Sequence, residues 1–251
     1  MALTKITGEG VGAITGNLTV DTTNDLVGIN TATPSDMYYN ELVVNSGDEG
    51  GITILDTSSG QSALAFGDGT SGNARYRGRI LYDHNTDSLS IGTAGEQYWT
   101  MDSAHIITTP KQPAFCANPS ATLSNFATNG YQNVNFDSER FDRNADYNAG
   151  GSPSTFTAPV TGIYQLNFAL YILSVDTGAS YFQFSINTSN REYTQIIDPN
   201  FSGDLGYFDM SIAVAADMDA NDTAYVRFYQ YQGDAILDLA GNSSFSGYLI
   251  G

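Results

Sequence analysis

Tyr164, Leu166, Phe168 and Leu170 stand at alternate positions with only Gln165, Asn167 and Ala169 between them, and no other stretch limits the possible folds of this chain so sharply. Side chains spaced by two fall on one side of an extended backbone, so the run is a strand whose continuous apolar face must be covered. Gly162 lies two residues before that face, where the backbone is expected to turn into a sheet at an angle that a Cβ would resist. The cover has to come from the same part of the chain. Tyr38, Tyr39, Phe66, Tyr76, Tyr82, Tyr98 and Trp99 are the only aromatic residues before Lys111, and the other twenty-three of thirty follow it. At roughly 1.5–3 kcal/mol for each large apolar side chain buried, the second part can hold a core of its own and the first cannot. Pro110 and Pro113 stiffen the link between them. No stretch shows helical periodicity, so the class is all-β.

The pattern continues on both sides of the strand. Phe136, Asp142, Tyr147, Phe156, Gly162, Tyr164 and Phe168 follow a spacing that resembles the globular heads of complement subcomponent q, the C1q domain, whose jelly roll is shared with tumour necrosis factor. Two departures are mild. Eight residues instead of six separate Tyr147 from Phe156, in a turn-rich run where a surface loop tolerates insertion, and Leu166 stands where the family has Phe. Pro113, Ala114 and Phe115 resemble the family's first strand, and the run from Ser244 to Ile250, with Phe245 and Gly247, its closing strand. The resemblance covers about 113 to 250 and implies a jelly-roll sandwich that assembles as a homotrimer.

Before the link, two segments align: Asp21 to Thr31 and Asp83 to Thr93, each with an Asp, three residues, a second Asp, and then apolar, Ile and Thr residues at alternate positions. Each reads as a polar turn and the returning strand of a hairpin, and a third hairpin is expected between Ile52–Leu55 and Leu64–Phe66. With one or two apolar side chains per strand such hairpins are marginal alone and need partners. This region resembles the shafts of bacteriophage fibres, in which three identical chains wrap into a slender β-rich stalk; the resemblance implies a homotrimer again. The opening, residues 1–16, alternates small and apolar residues with four glycines. It reads either as a frayed terminus or, by resemblance to fibre termini, as the segment that attaches to other virion proteins.

A net charge of −18 argues against nucleic acid or an anionic membrane as the main partner and is read as solvation or as cation sites. No apolar run reaches the ~18 residues needed to cross a membrane, and no charged start with an apolar core marks a secretory signal. Catalysis finds no constellation: His84 and His105 lie near no nucleophile motif, and Cys116, beside Phe115, reads as a small buried hydrophobe. Arg75, Arg77 and Arg79 are expected on one face of a strand, either as a basic ring for carboxylate or phosphate or as partners for acidic residues of a neighbouring chain. Asp217, Asp219 and Asp222 gather in a loop that could take calcium, which some relatives of the C1q head hold near the trimer apex, or could be a solvated turn. Tyr181, Tyr193, Phe201, Tyr207 and Tyr231 are candidates for sugar recognition, although most aromatics of a jelly roll belong to core or subunit interface.

The expected organisation is an attachment segment (1–16), a β-hairpin fibre shaft (17–110) and a jelly-roll head (111–251). The expected function is that of a homotrimeric virion fibre, without enzymatic activity, whose head binds a host-surface glycan or protein. The alternatives are a capsid or tail decoration without a receptor, and a cellular adhesion or lectin-like protein with the same head.

Overall fold

The computed structural model describes residues 18–21, 24–29, 36–39, 42–45 and 51–251. The attachment segment expected over 1–16 lies outside the described residues. Two compact units are present, residues 1–63 with 83–85, and residues 64–82 with 86–251. The expected division near residue 110 is therefore one of core content and does not coincide with these units.

In the first unit β1 (Leu18–Asp21) and β2 (Leu26–Ile29) form the expected antiparallel hairpin, and β3 (Leu42–Val44) adds to β2 in parallel. Next come β4 (Gln61–Phe66), β5 (Gly78–Asp83), β6 (Ser88–Thr93), β7 (Glu96–Met101) and β8 (Ile107–Thr108), which neighbour one another in that order in a second sheet. The two aligned hairpins turn alike: the second Asp of each, Asp25 and Asp87, takes a positive φ of 57° and 47°. Aspartate tolerates this left-handed conformation better than most residues, which accounts for its recurrence there.

The third expected hairpin does not form. Residues 51–57 lie outside any strand, and β4 pairs with β5 instead. Ile52 and Leu55 are 72% and 90% exposed, whereas β5 carries the buried Leu81. A strand gains more by pairing with one that is already anchored to a core. The arginines also depart from the expected strand. Arg75 lies in a single 3₁₀ turn (Gly72–Tyr76) that Gly72 opens with φ +53°, Arg77 follows it, and only Arg79 is on β5. Within the chain Arg77 pairs with Asp68 at 3.5 Å, both side chains still largely exposed, and the Arg79 guanidinium lies 5.1 Å from the centre of the Tyr76 ring.

The remaining strands are β9 (Ala114–Asn118), β10 (Gln132–Val134), β11 (Ser138–Asp142), β12 (Tyr147–Asn148), β13 (Thr155–Thr157), β14 (Gly162–Val175), β15 (Tyr181–Thr188), β16 (Glu192–Ile197), β17 (Leu205–Met218), β18 (Thr223–Tyr231), β19 (Asp238–Leu239) and β20 (Ser244–Leu249). They make two sheets, β12-β13-β18-β15-β16 with β10 also on β18, and β11-β9-β20-β14-β17 with β19 also on β14. Tyr164, Leu166, Phe168, Leu170 and Ile172 of β14 point inward and are buried, facing Phe182, Phe184, Val226 and Phe228 from the other sheet. This is the all-β jelly-roll sandwich that the resemblance implies.

The pattern residues sit at its centre. The Phe115 ring stacks on Tyr147 at 4.8 Å and Phe156 at 4.7 Å, and meets the edge of Phe245 at 5.0 Å. Tyr147 donates its hydroxyl to the Phe136 carbonyl at 3.0 Å, and Tyr164 donates to the Val160 carbonyl at 2.7 Å, so both polar ends are satisfied within the core. Burial above all pushes the Tyr147 phenol well up from its ordinary value. Asp142 accepts from the backbone N–H groups of Asp146 (3.1 Å) and Tyr147 (2.9 Å), closing the turn between β11 and β12. Gly247 is held between Leu166, Phe115 and the Gln165 carbonyl, all within 3.0 Å of where a Cβ would stand. Gly162 is needed for a different reason than expected. Its φ is not in the left-handed region; instead a Cβ would meet Leu249 at 2.8 Å and the Gly251 carbonyl at 3.0 Å. Crowding by the closing strand, not a turn angle, excludes a side chain.

Candidate ligand-binding face

β15 and β18 are the middle of the first sheet, and their alternation sorts side chains between core and solvent. Ala224, Val226 and Phe228 go inward with Phe182, Phe184 and Ile186. The opposite positions place Tyr225, Arg227, Tyr229 and Tyr231 beside Asn187, Ser185, Gln183 and Tyr181, residue for residue across the antiparallel ladder. Tyr131 comes just before β10, on the other side of β18.

Four of these aromatics form one cluster. Ring centres are 5.0 Å apart for Tyr131 and Tyr229, 5.8 Å for Tyr181 and Tyr229, and 5.5 Å for Tyr181 and Tyr231. The Arg227 guanidinium lies 3.9 Å from the centre of the Tyr131 ring and donates to Glu192 at 2.6 Å. Glu192 also accepts from Ser185 (2.6 Å) and from the Gln183 amide (2.9 Å), which reaches on to the Tyr131 hydroxyl at 3.3 Å. Burial raises the Glu192 carboxyl, but the hydrogen bonds from Ser185 and Arg227 outweigh it and hold it below the ordinary glutamate value. The Tyr229 phenol is raised, first by desolvation and then by Tyr181, and stays neutral through physiological pH. Two donors of this face have no partner, Nε of Arg227 and Nδ2 of the buried Asn187.

Of the aromatics picked out in sequence, the structure brings only Tyr181 and Tyr231 together here. Tyr193 points to the other side of its strand and packs on the core, Phe201 lies in the loop after β16 with its ring 6.0 Å from Phe208, and Tyr207 is on the second sheet, 5.8 Å from Tyr171. Tyr131, Tyr229, Arg227 and Glu192 were missed. The signal for β18 was present in its alternation, but the buried Gln230 breaks the apolar series at its end and obscures which set faces out.

The calcium candidates do not form a cation cage. Asp217 donates nothing to a shared site because it pairs with Arg191 at 2.8 Å, a hydrogen bond that first among its causes lowers its carboxyl. Asp222 accepts from the Asp219 N–H at 2.9 Å within the turn from β17 to β18, and Asp219 accepts from Thr161, just before β14, at 3.4 Å. Among the described residues no group of three or more His, Cys, Asp or Glu side chains is placed to hold a metal ion. Cys116 is half-buried and alternates with the inward Phe115 and Ala117, so it faces away from the core and is not the core hydrophobe expected.

Solved structures with a similar sandwich include the globular domain of zebrafish complement 1qA (19% identical, TM-score 0.41, covering 56% of this chain and 98% of that one). Others are Eiger TNF from S. frugiperda (12%, TM-score 0.39, 55% and 91%) and murine APRIL (16%, TM-score 0.40, 55% and 98%). No curated protein matches the chain. Nothing in these comparisons supports the fibre-shaft resemblance of the earlier residues. Residues 114–250 match the C1q domain, and the chain belongs to the C1q-domain family.

Proposed function

We propose that this protein is a homotrimeric virion fibre: a β-rich shaft up to about residue 110, held to the particle by residues 1–16, carrying a head (111–251) that binds a host-surface receptor. The observation that carries the reading is the imbalance of burial before residue 110. Among the described residues of that region only Leu26 and Leu81 are buried large apolar side chains, while Tyr38, Leu42, Ile52, Leu55, Leu64 and Phe66 are all exposed in the single chain. Apolar surface of this extent asks for a cover, and further copies of the same chain supply one. The head supports the same stoichiometry. On the outer side of the β14–β17 sheet Ala169, Ser211, Ala213 and Ala215 are exposed small residues, opposite or beside Gln165 and Asn167, where another copy can approach closely. Function is then binding, with three heads multiplying a weak single contact.

The family match by itself favours a second reading equally, a cellular C1q-domain adhesion protein. Immunogold labelling of purified particles, followed by competition of the free protein with attachment, separates the two. The fibre reading expects label on the particle and blocked attachment, with light scattering at three times the 26.9 kDa chain mass. Label without blocking leaves a structural decoration, and no label overturns the virion assignment.

A further inference from the structure

We infer that the outer face of the β15–β18 sheet, built on Tyr131, Tyr181, Tyr229 and Tyr231 with the Arg227–Glu192 pair, is a site for a neutral oligosaccharide. The inference rests on the reading of the head as a binding module and gives that module its ligand class.

Charge decides between candidates first. Arg227 is the cation of the cluster, and Glu192 already takes its Nη2 at 2.6 Å, so the pair presents no net charge. An anionic ligand would have to displace a carboxylate on a chain of net charge −18. A protein partner would have to strip water from the same ion pair at the centre of the surface, where stable interfaces are depleted of charge. A sugar avoids both costs, since its hydroxyls replace the hydrogen bonds of water at Arg227, Glu192 and Gln183.

The aromatic cluster supplies the complementary half. Tyr131 and Tyr231, at its two ends, are 50% and 41% exposed and offer apolar ring surface edged by phenol hydroxyls. A ligand that fits must alternate C–H surface with hydroxyls over several units, which is the make-up of an oligosaccharide. The site also stays free in a trimer formed through the β14–β17 sheet, because that is the other layer of the sandwich.

The test is an array of neutral hexose and N-acetylhexosamine oligosaccharides, each beside its sialylated counterpart, probed with the full chain. The expected result is binding to one or more neutral probes, weakened at least tenfold in Tyr229→Ala, with the milder Tyr131→Phe keeping the fold while still losing affinity. Glu192→Gln frees the Arg227 charge and is expected to shift preference toward the sialylated probes. Wild-type preference for sialylated probes, binding unchanged in Tyr229→Ala, or a blank array overturns the assignment. If the array is blank while the free protein still blocks attachment, the saccharide site falls and the attachment reading stands; if it does neither, both fall.

Discussion

The stretches before and after residue 110 are written in the same alternating code and differ in what the inward positions hold. In β14 those positions carry Tyr164, Leu166, Phe168 and Leu170, and each meets side chains of a second sheet. In β5 and β6 they carry Leu81, Ser90 and Gly92, and the large residues Ile80, Tyr82 and Ile91 face outward. Period two is enough to make strands in both places. Whether strands become a self-sufficient layer depends on the volume aimed at the partner sheet, and the earlier region lacks that volume within one chain.

The largest effect that sharpens this comparison is in the head. Phe245 lies at 0% exposure against Phe115, Phe136 and Tyr147, so Phe245→Ala should cost about 3–5 kcal/mol, read from the urea midpoint. Ile91→Ala, 44% exposed in the single chain, should cost under about 1 kcal/mol in a monomer. Equal costs at both sites would mean that the earlier strands are covered after all. Next comes the closing strand: Gly162→Val drives a side chain into Leu249 and the Gly251 carbonyl, and should lose about 1–3 kcal/mol. Undiminished stability would show that the C-terminal residues move aside freely.

Much of the head was legible because the residues that carry the C1q resemblance, Phe156, Tyr164, Phe168 and Phe245, are the core itself. The binding face was harder to read. Tyr131 and Tyr229 meet only through the β10–β18 pairing, and Glu192 reaches Arg227 across β15, proximities that no local period encodes. In the earlier region the turn Asp residues could be aligned, but the partner of β4 could not, since Ile52, Ile54, Leu64 and Phe66 are equivalent in pattern and differ only in what anchors the opposite strand.

A smaller effect tests the exposed apolar residues directly. Leu55→Ser removes a side chain that is 90% exposed, so in an isolated chain it should leave the urea midpoint within about 0.5 kcal/mol. In a trimer that covers Leu55 the same change should lower the assembly midpoint on dilution, followed by light scattering, while a dilution curve identical to wild type would remove Leu55 from any interface.

A further small effect is electrostatic and lies in the head's own turn. Asp146 is raised, first by burial and then by the carboxylate of Asp142, and its Oδ2 has no hydrogen-bond partner. Asn144, through a hydrogen bond, opposes the shift without cancelling it. A carboxyl whose folded value lies above its unfolded value of 3.8 binds its proton more tightly in the folded state. Its ionisation therefore costs stability as pH rises from 3.8 through the raised value, and the full cost is present at neutral pH. Asp146→Asn removes the charge and keeps the shape, so it should stabilise the head at pH 7 and do so less at pH 3.5, where the wild-type carboxyl is already largely protonated. Solvent screening of this partly exposed group keeps the gain under about 1 kcal/mol. Urea titrations of both proteins at the two pH values measure it, and a gain that is the same at pH 3.5 would assign the effect to packing instead of charge.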